Sequence, residues 1–202
     1  MPSSTAAAWA SPGRFALALI FGFALTLTVA WLWGAALIET ILPATRIVLG
    51  WIDNRFGIVF LGVEHNWQDT VVRLRVSPVE MFVMGGQIIN ADNTHWLEVT
   101  TTSGAMLQSL VIAPAIAVAL PGSVLARTGA FTLAALLAFG FMLLDLPLTL
   151  FAFTWDMLID GLEPDRFSPL MLWHEFLHAG GRLGVAVALG VAGWRLVRRK
   201  AA

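Results

Sequence analysis

The most constraining feature of the sequence is a long apolar run near the N-terminus. Between Phe15 and about Leu42 the only charged residue is Glu39. A run of this length exceeds the roughly 20 apolar residues that a helix needs to cross the hydrocarbon core of a bilayer. We predict that segment 15–42 is a transmembrane helix. A removed signal peptide is the alternative interpretation, but the run is long for one and lacks a clear Ala-x-Ala cleavage site.

Three further apolar segments predict an all-α membrane protein, built as a four-transmembrane-helix bundle. Of the 202 residues, 58% are hydrophobic and 12% are charged, which is too apolar for a soluble domain. Helices 2–4 are expected within 105–195, and Pro43 is expected to end the first helix. The last helix should begin with Ser168 as its cap and Pro169 as its first residue, with a soft spot at Gly180-Gly181.

Basic residues predict the orientation of these helices. Arg195 and the tail 196–202 form the strongest basic cluster, and positive residues stay on the cytoplasmic side. With four membrane crossings, the N-terminal segment 1–14 then also lies in the cytoplasm. We therefore expect a multi-pass protein of the bacterial inner (cytoplasmic) membrane with both termini cytoplasmic and the lipid bilayer as its partner.

The polar region 43–104 is predicted to form a small extracytoplasmic β-rich loop domain. Its first part, Arg46–Asp53, has helical spacing of apolar residues and is expected to lie along the membrane interface. The rest is rich in β-branched residues that alternate with polar ones, which is typical of hairpins. The two predicted hairpins pair Gly57–Val63 with Thr70–Val76, and Gln87–Asn90 with His95–Thr101.

Composition excludes several functions. The net charge is −1, so no nucleic-acid partner is expected. The chain has no cysteine, which excludes disulfides, cysteine-ligated metals and a thiol nucleophile.

Ionisable side chains inside the predicted membrane helices mark a candidate site. At a rise of about 1.5 Å per residue, Asp145, His178, Arg182 and Gln108 fall at similar depth in the outer leaflet. Charged groups at such depth are costly and are functional hypotheses by default. We predict a polar cluster in which Asp145 pairs with His178 or Arg182. Arg182 is favoured because its planar guanidinium fits a carboxylate. On a straight helix His174, His178 and Arg182 share one face.

A zinc-site pattern overlaps this cluster, because His174-Glu175-Phe176-Leu177-His178 reads as H-E-x-x-H. In zinc peptidases the two histidines bind the metal and the glutamate activates bound water, so Glu175 would be the catalytic residue. A third ligand would come from Glu39, Asp145, Asp156 or Asp160. The favoured alternative needs no cofactor: His174 and His178 are polar residues near the membrane interface, paired with acidic side chains or lipid headgroups.

A second pattern spans roughly residues 96–195 and consists of four features in order. They are Thr102-Ser103-Gly104, Ala119-Leu-Pro-Gly122, Asp145-Leu-Pro-Leu148, and His174 or His178. In order and topology they resemble the exosortases and archaeosortases, multi-pass membrane transpeptidases that cleave and sort proteins bearing a C-terminal signal. That family carries Cys-(Ser/Thr)-Gly, a Pro-bearing loop, Asn-x-x-Arg and a histidine. Here Thr102 stands at the Cys position, and the third helix lacks the family's Arg.

The resemblance implies a relative or companion of exosortases without their catalysis. The favoured function is an integral membrane accessory protein of an exosortase-type protein-sorting system, and not an enzyme. If catalysis remained, Thr102 would be the residue at the nucleophile position, and a hydroxyl there needs a base. The alternatives are a membrane-embedded zinc metallopeptidase and a structural subunit of a larger membrane complex.

Overall fold

The computed structural model describes residues 12–66, 69–91, 94–164 and 166–200. Its helices are α1 (Pro12–Ile52), α2 (Ser103–Ala119), α3 (Val124–Leu162), α4 (Pro169–Phe176) and α5 (Arg182–Lys200), with a π-helical turn at Leu177–Gly181. Its strands are β1 (Phe56–Asn66), β2 (Asp69–Pro78), β3 (Phe82–Met84), β4 (Gln87–Ile89) and β5 (Leu97–Thr102). Most of the predicted segment 1–14 and the end of the tail 196–202 lie outside the described residues.

The described chain divides into two compact units. The first contains 12–32, 107–141 and 181–200. The second contains 33–106 and 142–180, apart from the gaps given above.

Among the described residues, three helical segments are long and apolar enough to cross a membrane: α1, α3 and Pro169–Arg199, which comprises α4, the π-helical turn and most of α5. Helix α2 is apolar but has only 17 residues. These segments indicate a membrane-associated, mostly helical protein whose apolar helices contact lipid, with a small sheet region. The count of four crossings and the bundle arrangement stay predictions.

Helix α1 continues through Pro43, so the expectation that this proline ends the first helix is wrong. A proline in a helix interior removes one backbone donor and costs about 3 kcal/mol. Buried side chains nevertheless follow one another at helical spacing on both sides of it: Ile38, Ile41, Thr45 and Leu49. Their packing holds the helix together, and the predicted interfacial helix Arg46–Asp53 is in fact the end of α1.

Helix α3 is also longer than expected. The polar residues between Trp155 and Phe167 predict a loop, but the helix continues to Leu162. Leu146 and Leu150 are fully buried on either side of Pro147, so packing again maintains a helix across a proline. Asp156 and Asp160, which the sequence predicts to lie in this loop, are therefore on the last turns of α3.

The last apolar segment begins and bends where the sequence predicts. Pro169 is at the start of α4, after Ser168 in an extended conformation, although the Ser168 hydroxyl makes no capping hydrogen bond. Gly180 has a φ of 107°, which is accessible to glycine and interrupts the helix. The predicted soft spot is confirmed, and the segment consists of two helices joined by a π-helical turn.

Strands β1, β2 and β5 form an antiparallel sheet in the order β1-β2-β5. The first predicted hairpin is confirmed by the pairing of β1 with β2. The second is wrong, because β4 pairs with β3 and β5 pairs with β2. Gly85 and Gly86 join β3 to β4 with φ angles of 58° and 74°, the positive values that a two-residue hairpin turn requires.

The two faces of this sheet differ in chemistry. Side chains on one face are buried: Val72, Leu74, Val76 and Val99. On the other face Arg73 binds Glu64 at 3.1 Å and Glu98 at 2.9 Å, while Arg75 binds Glu98 at 2.6 Å. Opposite charges on neighbouring strands stabilise the register of the sheet. The β-rich region thus has one apolar face and one charged face.

Small residues pack the helices of the first unit. A Cβ built on Gly190 would lie 2.6 Å from the Ala113 carbonyl oxygen, and one on Gly193 would lie 3.0 Å from Ala134. The Thr26 hydroxyl donates to the Val111 carbonyl at 2.8 Å, which joins α1 to α2. Close approach through glycine and a shared hydroxyl are both typical of membrane helices.

Candidate functional site

Thr102-Ser103-Gly104 lies where β5 ends and α2 begins. Thr102 is the last residue of β5 and is exposed, and Ser103 is the first residue of α2. The backbone N–H of Ala105 donates to Thr102 Oγ1 at 3.4 Å. A hydroxyl that accepts from the third residue of a helix is an N-cap, because it satisfies a donor without an intrahelical partner. The structure therefore gives Thr102 a role in starting α2.

His174 and His178 lie side by side, but in different surroundings. Their ring centroids are 5.9 Å apart and the ring planes differ by 29°. His174 is 9% exposed and its ring packs edge-on against Phe153, with centroids 4.5 Å apart. His178 and Glu175 are exposed.

The expectation that His174, His178 and Arg182 share one helix face is wrong. His174 is buried at the end of α4, His178 is exposed within the π-helical turn, and Arg182 is buried at the start of α5. A spacing of four residues places side chains on one face only in a continuous α-helix. The π-helical turn and the positive φ of Gly180 break that continuity.

Acidic residues at the end of α3 lie close to this histidine. Asp156, near the end of α3, lies within electrostatic range of Asp160, His174 and Glu175. Zinc requires three or four protein ligands at close range. Within the described ranges, no group of three or more His, Cys, Asp or Glu side chains is arranged to hold a metal ion. The zinc interpretation stays a hypothesis.

Asp145 is buried in α3, where it is 3% exposed. The Thr149 hydroxyl, one turn later, donates to Asp145 Oδ1 at 2.9 Å. Arg182 is 5% exposed and Gln108 is half-buried in α2. The burial of both charges agrees with the reasoning behind the predicted cluster, whereas His178 is exposed. The pairing of Asp145 with Arg182 stays a prediction.

Sequence reasoning missed Thr149 as a partner of Asp145. The signal was present, because a hydroxyl four residues after a carboxylate faces it on a helix. It also missed an ion pair just after α1, in which Arg55 donates to Asp53 through Nε at 2.9 Å and Nη2 at 2.6 Å. Burial opposes the ionisation of Asp53, but the hydrogen bonds and charge of Arg55 hold the pKa of Asp53 below its usual value.

The β3–β4 hairpin is fastened to the end of α3. The backbone N–H of Gly85 donates to Glu163 Oε1 at 2.6 Å, and Arg166 donates to Glu163 Oε2 at 2.7 Å. The hydrogen bond from Gly85, together with that from Arg166, lowers the pKa of Glu163 from its ordinary value of 4.5. A Cβ on Gly85 would collide with the Leu162 carbonyl oxygen, so only glycine allows this approach.

Comparison with known proteins finds no matching family model, no matching curated protein and no matching solved structure. Any statement about function therefore depends on the residues described above. Among them, the capping contact of Thr102 is the most informative. It involves the hydroxyl that the sequence pattern marks as a candidate nucleophile.

Proposed function

We propose that this chain is a non-catalytic membrane accessory protein of an exosortase-type protein-sorting system. The proposed location is the bacterial inner membrane, with both termini in the cytoplasm and the β-rich region outside. Support comes from the order of motifs along residues 96–195 and from the three long apolar helical segments.

The observation that carries the non-catalytic part is the hydrogen bond from the Ala105 N–H to Thr102 Oγ1. A serine or threonine nucleophile needs a base that removes its proton. The oxygen of Thr102 accepts a donor from the first turn of α2, which gives the side chain a structural role that needs no base. The Ser/Thr-Gly part of the motif is thus explained by the way a strand passes into a helix, without a chemical step.

A capping test separates the two roles of this side chain. Asparagine caps a helix about as well as threonine but has no hydroxyl, whereas alanine removes both properties at a cost of about 1 kcal/mol. The affinity-tagged chain and its Thr102→Asn, Thr102→Ala and Thr102→Ser variants are produced together with an exosortase and a substrate bearing a C-terminal sorting signal. We measure co-purification of the exosortase and cleavage of the substrate.

We expect the exosortase to co-purify with the wild type and with Thr102→Asn, and cleavage to be equal in both. Loss of cleavage in Thr102→Asn but not in Thr102→Ser would show that the hydroxyl reacts, which contradicts a non-catalytic role. Purification with other membrane proteins but never with an exosortase would favour the structural subunit of a larger complex.

The second candidate, a membrane zinc metallopeptidase, is favoured by one observation: the His174 and His178 rings lie next to each other, with centroids 5.9 Å apart. In this hypothesis the two histidines bind zinc and Glu175 activates water. It requires about one zinc per chain in the purified protein. Zinc that is lost in His178→Ala but retained in Glu175→Gln, together with peptidase activity lost in both, would establish it.

A further inference from the structure

The sequence segments of the first unit carry basic residues and no acidic ones. No Asp or Glu occurs in the three sequence segments of the first unit, 1–32, 107–141 and 181–202. All 13 acidic residues of the chain therefore belong to the second unit. The first unit carries the following basic residues: Arg14, Arg127, Arg182, Arg195, Arg198, Arg199 and Lys200. Negative charge for the surface arginines of this unit cannot come from its own side chains.

Two of these arginines lie at the same end of the first unit. The start of α3 packs against the end of α5, because a Cβ built on Gly129 would lie 3.5 Å from Val197. Arg127 is two residues before that glycine, and Arg198 directly follows the valine. The Trp194 indole N–H donates to the Pro121 carbonyl at 2.9 Å and links α5 to the loop before α3.

Contacts with Trp194 position Arg198, and Arg127 has an unsatisfied donor. The guanidinium of Arg198 lies over the Trp194 ring, 4.9 Å from its centroid, and that ring is itself fixed by the bond to Pro121. Nε of Arg127 is buried and has no hydrogen-bond acceptor among the described residues. The Arg127 side chain as a whole is half-buried, and no carboxylate of its own unit neutralises its charge. The fork of an arginine matches the oxygens of a phosphate.

We infer that Arg127 and Arg198 bind the phosphate headgroup of an anionic phospholipid. A lipid fits better than a free phosphate because apolar side chains beside the arginines are exposed. Leu125 is 84% exposed on α3 and Leu196 is 45% exposed on α5, where acyl chains would lie. Basic pockets between membrane helices on the cytoplasmic side bind such headgroups. The lipid site is independent of the protein-sorting role.

Thermal unfolding of the detergent-purified full chain tests this site. Dioleoylphosphatidylglycerol is titrated against the wild type, Arg127→Gln and Arg198→Gln, and the shift in Tm gives an apparent affinity. Each basic residue near an anionic headgroup contributes enough binding energy for about a fivefold change in affinity. We expect about fivefold weaker binding in each variant. Arg14→Gln is the matched control, an exposed arginine of the same unit on α1, and should bind as the wild type.

The comparison ligands are dioleoylphosphatidylcholine and inorganic phosphate, and neither should raise Tm as phosphatidylglycerol does. An equal shift with phosphatidylcholine would show that charge is not recognised, and an equal shift with inorganic phosphate would show that no lipid is needed. Equal weakening in Arg14→Gln would show a diffuse charge effect. Each of these results overturns the proposal. If Arg127→Gln does not fold, the exposed Arg198→Gln variant decides the question alone.

Discussion

At the residue scale, Asp145 tests how a membrane helix tolerates a buried carboxylate. The sequence predicts that Asp145 pairs with Arg182, and breaking a buried pair by removing one partner costs about 3 kcal/mol or more. We expect Asp145→Ala and Arg182→Ala each to lower the free energy of unfolding by that order. The double mutant should lose less than the sum of the two losses. Unfolding in mixed detergent measures all four proteins, and additive losses would contradict the pairing.

Glu163 predicts a dependence on pH at the end of α3. Its pKa is lowered in the folded protein, first by the Gly85 N–H and then by Arg166. The stabilisation from this carboxylate is therefore present above its unfolded pKa and is lost as pH falls through the folded value. We expect Glu163→Ala to lower Tm at pH 7, and this difference to shrink as pH falls below 4.5 towards the lower folded pKa.

At the element scale, the β3–β4 hairpin offers a matched pair of glycines. Both have positive φ, so alanine at either position is strained by about 1–2 kcal/mol. Only at Gly85 does a Cβ meet the Leu162 carbonyl oxygen, whereas the space beside Gly86 is open. We expect Gly85→Ala to release the hairpin from α3 and Gly86→Ala to retain it. Limited proteolysis between Val79 and Asn90 measures this, and equal cleavage would refute the close approach.

Local signals predicted the elements well, and distant packing decided the rest. The first hairpin depends on neighbouring residues and was predicted, whereas the pairing of β5 with β2 joins residues far apart in sequence. Local sequence rules predict that a helix ends at Pro43. They do not include the buried side chains on both sides of this proline, whose packing maintains the helix. The Gly85-Gly86 turn was readable from the sequence but was overlooked.

In the candidate site, too, local features could be predicted from the sequence and features that depend on distant packing could not. Asp145 and Arg182 are charged residues within apolar stretches of sequence. Their burial could be predicted from this local composition. The exposure of His178 could not, because it depends on the π-helical turn and on the conformation of Gly180. The capping role of Thr102 is a local feature, but choosing between a cap and a nucleophile required the position of the Ala105 N–H.

For the whole molecule, two cysteines test the topology, since the chain has none of its own. Thr100 and Ser123 are both exposed and flank α2. We expect an impermeant maleimide to label Thr100→Cys from outside, and Ser123→Cys only after the membrane is permeabilised. The opposite pattern would reverse the proposed orientation. Labelling of both from one side would show that α2 does not cross the membrane.

If α2 does cross, its length must be reconciled with the thickness of the bilayer. With 17 residues it is about 25 Å long, whereas a typical hydrocarbon core is about 30 Å thick. Thr102 fixes where the helix begins, and the bond from Trp194 holds Pro121 just after it ends. Almost all of its side chains are buried or half-buried, so neighbouring protein rather than lipid surrounds this short helix. Non-helical backbone at its two ends can then lie at membrane depth without meeting lipid, and the bilayer need not thin around it.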